Sequence, residues 1–81
     1  MNQPTGHPRR SAVAANVRAE LARRQVTVAE LATRLQVGRS SIFRRLNGDL
    51  PWTVDELWSV ADTLEVPIAR LIEVDDNAVA S

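Results

Sequence analysis

Apolar positions along the chain fall into five short blocks, and each block has helical rather than strand spacing. In AVAANVRAELARR, Val13, Val17 and Leu21 recur every fourth residue on one helical face, which Ala14 and Ala22 widen. Ser11 stands at the head of this block as a candidate N-cap, and Gln25 and Val26 close it. In VTVAELATRL the apolar face is Leu31, Ala32 and Leu35. Thr27 and Glu30 have capping-box spacing, and Val26 with Leu31 has the spacing of a hydrophobic staple. The block RSSIFRRL turns Ile42 and Leu46 inward, one turn apart. Gly38 is its candidate N-cap, Val37 and Ile42 repeat the staple, and Asn47-Gly48 is a stop signal. In TVDELWSVADTL, Thr53 and Glu56 form a second capping box and Trp52 with Leu57 a third staple. Leu57, Val60, Ala61 and Leu64 make its inward stripe, with Trp58 at the edge. In EVPIARLIEV, Pro67 suits the first position of a last short helix that buries Ile68, Leu71 and Ile72. Period-two alternation of β-branched residues is absent over any useful length, so the pattern predicts five helices and no strand.

The flanks are polar. Residues 1–10 hold two Pro and one Gly and read as a flexible basic arm carrying His7, Arg9 and Arg10. Residues 74–81 read as a frayed acidic tail, which leaves residues 11–73 as the folded domain. The 81 residues hold one domain at most.

Charge changes the picture. The chain is formally neutral, yet residues 1–47 carry nine Arg against Glu20 and Glu30. Residues 48–81 carry Arg70 against eight acids. Such an asymmetry points to an anionic partner for the basic half, or to attraction between the two halves across the fold.

Candidate catalytic chemistry is scarce. His7 is the only histidine, Tyr, Lys and Cys are absent, and no carboxylates have metal-ligand spacing. The expectation is therefore a chain that is not an enzyme and takes no metal, cofactor or small-molecule ligand. No apolar run reaches the ~18 residues of a membrane span, and MNQPTGHPRR lacks the apolar core of a secretory signal. A cytoplasmic protein of a bacterial cell, associated with its DNA, is expected.

Two short capped helices joined by a brief turn make a helix-turn-helix unit, whose second helix enters the major groove with its N-terminal residues against base edges. That helix begins Arg39-Ser40-Ser41 and carries Arg44 one turn later. The planar fork of Arg matches guanine O6 and N7, and Ser donates or accepts. Phe43 shares this outer surface and either packs beside Leu50 and Trp52 or meets thymine methyls in the groove.

Residues 13–72 resemble the Cro/repressor-type helix-turn-helix family, the xenobiotic-response-element type. VTVAELATRLQVGRSSIFRRLNG is similar to its core signature, and VDELWSVADTLEVPIARLI to its closing helices. The resemblance implies an all-α, five-helix bundle of the lambda-repressor-like kind with the helix-turn-helix at the second and third helices. It marks Arg39, Ser40 and Arg44 as base readers, and Thr27, Val28, Ser41, Arg45 and Asn47 as phosphate or backbone contacts. It implies a homodimer joined near Val66, Ile68, Arg70 and Leu71. Many members pair an Arg on the first helix with a Glu at the end of the third. Leu21 and Leu46 stand at those positions here, a joint change to an apolar pair. Asp49-Leu50 follows the third helix where basic residues are common, which reduces the expected phosphate footprint on that side.

The function expected is that of a transcriptional regulator binding double-stranded DNA, a repressor of the Cro or small immunity kind. The alternatives are an antitoxin that binds a toxin and autoregulates its operon, and a helix-turn-helix module whose partner is another protein.

Overall fold

Capping decides where the helices begin and end. The computed structural model describes residues 8–73, which form α1 (Pro8–Arg24), α2 (Val28–Leu35), α3 (Arg39–Leu46), α4 (Val54–Leu64) and α5 (Ala69–Ile72). No strand occurs among the described residues. The architecture is the expected all-α five-helix one. Thr27 Oγ1 accepts from the Glu30 amide at 3.1 Å, and the Thr27 amide donates to Glu30 Oε1 at 2.8 Å. Thr53 and Glu56 repeat this exchange at the start of α4, at 3.1 and 2.9 Å. Each box pairs two amides that would otherwise be left without partners at a helix start.

The C-terminal ends share a different device. Gln25, Gln36 and Glu65 take left-handed φ values of 57°, 60° and 58°. In each case the following valine folds back. Val26 donates to Leu21 O, Val37 to Ala32 O and Val66 to Ala61 O, all at 3.0 Å. These are Schellman closures, in which an apolar residue just past the helix covers its last turn. They are built without glycine, so sequence gave no sign of them. Only after α3 does glycine take this role, at Gly48 with φ 84°.

The start of α1 differs from expectation. Ser11 is not the cap, because the helix already runs from Pro8, three residues earlier. Proline has no amide hydrogen to leave unpaired in the first turn, and its φ is preset for a helix. Arg9 and Arg10 therefore belong to α1 and not to a flexible arm. His7, the rest of the arm and the 74–81 tail lie outside the described residues.

α1 packs against α5, α3 and α4, while α2 packs against α4 and α3. Val17, Leu21, Leu31, Ala32, Ile42, Leu46, Trp52, Leu57, Val60, Ala61, Leu64, Val66 and Leu71 form one buried cluster. Leu21 and Leu46 are both in it, as an apolar pair joining α1 to α3. Ile72, expected to be buried, is about half exposed, and α5 is a single turn that buries only Leu71.

A pair of opposite substitutions checks the account of the helix ends. A non-glycine residue in the left-handed region costs roughly 1–2 kcal/mol, partly offset by the greater chain entropy glycine loses on folding. Gln36→Gly is thus expected to raise unfolding free energy by ~0.5 kcal/mol. Gly48→Ala is expected to lower it by ~1 kcal/mol. A Cβ at residue 48 would meet only Ser11 Oγ, at 3.8 Å, so this cost is conformational and not steric. Urea melts of both variants read the two signs.

Candidate nucleic-acid interface

α3 is fixed on two sides and open on the third. Ile42 and Leu46 are buried and hold its inner face to the core. At 100° per residue, Ser41 and Arg45 fall on one flank, Arg39 and Phe43 on the other, and Ser40 and Arg44 on the crest. Arg39, Ser40, Phe43, Arg44 and Asn47 are all exposed. Neither Arg39 nor Arg44 forms an ion pair with another described residue. The three side chains expected to read bases thus share one open surface.

Arg45 is a correction. Its Nε donates to Glu56 Oε1 at 3.1 Å and its Nη2 to Glu56 Oε2 at 3.0 Å. Its Nη1 donates to the Ser41 carbonyl at 3.1 Å and to Ser41 Oγ. The Arg45 side chain is only 15% exposed and that of Glu56 21%. A planar fork matched to a carboxylate in this way is a geometric clamp between α3 and α4. Arg45 is spent on that clamp and is not held ready for a phosphate, and Ser41 turns toward Arg45 with it. Arg45 consequently does not make up for the acidic loop at Asp49.

The remaining expected backbone contacts divide. Asn47 closes α3 with φ −86° and ψ −6°, and its side chain is exposed. Thr27 is exposed at the start of α2, but its hydroxyl both accepts from the Glu30 amide and donates to Glu30 Oε1 at 3.2 Å. Val28 is half buried and packs on the core cluster. Arg9 and Arg10 line a cavity of about 280 Å³ with Val13, Pro51, Trp52 and Leu57, between the starts of α1 and α4.

The residues expected at a dimer contact need the same sorting. Val66 and Leu71 are buried within the chain, where they complete the core, so neither is available to a second copy. Ile68 is half buried against the same cluster. Arg70 is exposed and lies 3.6 Å from Glu20 Oε2.

Three residues whose partners on other helices pattern reading missed hold this frame. Glu20 is 2% exposed and sits among Arg23 at 2.5 Å, Arg70 at 3.6 Å and Arg24 at 4.0 Å, bringing α5 to α1. Arg18 donates to the Leu46 carbonyl, which satisfies one of the acceptors left at the end of α3 and sets a positive charge at the negative pole of that helix. Glu56 closes the α4 capping box and holds Arg45 at once. Capping spacing announced the first of its roles, but nothing local announces a partner on another helix.

The chain matches the BetR domain over residues 9–81. It belongs to the BetR domain family. BetR domains are helix-turn-helix-like regulators, so a regulatory role of the helix-turn-helix type stands for this chain. The matched span begins at Arg9, inside the first turn of α1, and includes every helix after it. No curated protein and no solved structure matches the chain.

The clamp makes two expectations. Arg45→Ala leaves the Glu56 carboxylate without its main partner, and a charge-assisted hydrogen-bonded pair of this burial contributes roughly 1–3 kcal/mol. Thermal unfolding should show that loss. The second concerns acid. Partial burial raises the pKa of Glu56, but the Thr53 amide and the Arg45 guanidinium lower it further, so it lies below the ordinary 4.5. The Thr27 amide and hydroxyl lower that of exposed Glu30 as well. A depressed folded value gives stability that is complete above the unfolded value and is lost as pH falls through the folded one. Melting temperature is expected to drop as pH goes below about 4.5, and to drop less steeply in Glu56→Gln.

Proposed function

We propose that this BetR domain is a sequence-specific regulator that binds double-stranded DNA and lays α3 in the major groove. In this reading Arg39, Ser40 and Arg44 meet base edges, with the two arginines forking onto guanine O6 and N7. The amide end of α2 at Thr27 and the end of α3 at Asn47 meet the backbone on either side. The observation that carries the reading is the division among the α3 arginines. Arg45 is consumed inside the fold, whereas Arg39 and Arg44 stand exposed on the surface that a groove would meet. Charge placement supports it too, since the arginine surplus lies in α1 to α3 and exposed Asp55, Asp62 and Glu65 lie on or just after α4.

The mode of action proposed is Cro-like repression, in which the bound protein occludes a promoter. Two copies on a near-palindromic site would set their α3 helices ~34 Å apart, in successive major grooves. With Val66 and Leu71 inside the core, the contact between copies falls to exposed Ile72 and Arg70 with part of Ile68.

A specific observation favours a second reading. Val54 and Trp58, one turn apart on α4, are 67% and 53% exposed. Apolar anchors of this kind belong to protein interfaces. A partner protein, such as a toxin neutralised by this chain, would engage there.

Selection from random duplexes, followed by binding to the winning site, tests the two readings. Arg39→Ala and Arg44→Ala are each expected to relax preference at one base pair at a cost of ~1–3 kcal/mol. Wild-type affinity is expected to fall steeply between low and moderate salt, because neutralised phosphates release counterions. An Arg39→Ala/Arg44→Ala double variant that keeps the preference refutes the base-reading assignment. A nearly flat salt dependence favours the protein partner.

A further inference from the structure

Phe43 brings a chemistry to α3 that its charged and hydroxyl-bearing neighbours lack. It is 51% exposed, on a helix whose other two apolar residues, Ile42 and Leu46, are both buried. Arg39 lies one turn before it, and Ser40 and Arg44 lie beside it on the crest. By helical spacing, the flank it occupies is opposite the one that carries Ser41 and Arg45, the side of the clamp to Glu56. An open apolar ring bracketed by arginines suits a surface that is apolar at one point and rich in acceptors at the next. The major groove offers one such apolar point, the C5-methyl group of thymine, and the adjacent acceptor pair is guanine O6 and N7.

We propose that Phe43 determines specificity by packing on the 5-methyl group of a thymine next to the guanine that Arg39 or Arg44 reads. This rests on the DNA-binding reading above and adds a base identity to it. Guanine contacts alone would accept any neighbouring pair, whereas an apolar ring at that point favours the pair that carries a methyl group.

The test uses the full 81-residue chain and the duplex it selects from a random pool. Each thymine in turn is replaced by uracil, which removes the 5-methyl group and leaves every hydrogen-bonding atom in place. Wild type is expected to lose roughly three- to ten-fold in affinity at one position, the scale of one buried methyl group, and little elsewhere. Phe43→Ala is expected to bind the thymine and uracil duplexes alike at that position, and Phe43→Leu to keep part of the discrimination. Residue 43 is exposed, so both variants should melt near wild type. The wild-type scan needs no variant at all. A scan that is flat at every thymine, a selected site with no thymine, or a uracil penalty unchanged in Phe43→Ala overturns the proposal. A flat scan on a site that still requires its guanines removes Phe43 and leaves the arginines standing. A chain that selects no site removes both.

Discussion

The clamp between Arg45 and Glu56 is the interaction on which the presentation of α3 depends. Ile42 and Leu46 fix the depth at which the helix sits, but two apolar contacts in line allow a short helix to roll about them. The guanidinium prevents that roll. It holds both oxygens of one carboxylate on α4 and bonds back to Ser41 one turn earlier on its own helix. With one flank tied in this way, Ser40 and Arg44 must face outward and Arg39 and Phe43 must lie to the far side. The far end of α3 is fixed as well, by Arg18 reaching across from α1 to the Leu46 carbonyl. The proposed base-reading role would need this kind of support, since a base contact misplaced by an ångström loses its geometry.

Glu56 connects two structural levels. Through its capping box with Thr53 it sets where α4 begins, and through Arg45 it sets how α3 is turned. The start of α4 and the pose of α3 are thereby coupled through a single carboxylate. Glu20 has the equivalent place at the other end of the molecule, where Arg23 and Arg70 meet on a buried oxygen and α5, a single turn, is held to α1. Asn16 adds two bonds to that junction, to Leu71 O at 3.0 Å and Glu73 O at 2.7 Å. One turn of helix cannot sustain itself, so these side-chain ties, together with buried Leu71, account for its presence.

What could be read in the sequence was local. The capping boxes at Thr27 and Thr53, the inward stripe of α4 and the exposure of Arg39, Ser40 and Arg44 follow from spacings of three and four residues within one element. What escaped reading was of two kinds. Arg45 with Glu56, Arg18 with Leu46 and Glu20 with Arg70 are partners on different helices, and periodicity says which face a residue occupies but not what faces it. The other kind was conformational. Gln25, Gln36 and Glu65 are left-handed without being glycine, and Pro8 extends α1 where a proline-rich stretch suggested an arm. Two of the four residues expected at a dimer contact are buried for a related reason. In a domain this small Val66 and Leu71 are needed for the core and are not free for a partner.

Arg39, Arg44 and Arg45 lie within seven residues, yet the fold places them in two different environments. An arginine at residue 45 finds a carboxylate on the next helix and becomes part of the frame. At residues 39 and 44 it finds none among the described residues and stays available. Asp49 follows α3 without forming an ion pair with either, and most other described acids are elsewhere, with Glu20 taken by α1 and α5, Glu30 by its own capping box, and Asp55, Asp62 and Glu65 on or just after α4. Formal neutrality is therefore a poor guide to how this surface meets an anion. Screening at physiological salt acts over ~8 Å, so a ligand near α3 responds to the charges of that face more than to the sum over the chain. The positive potential that such a ligand meets is set by which arginines the fold has already paired, and of the three on α3 only Arg45 is paired among the described residues.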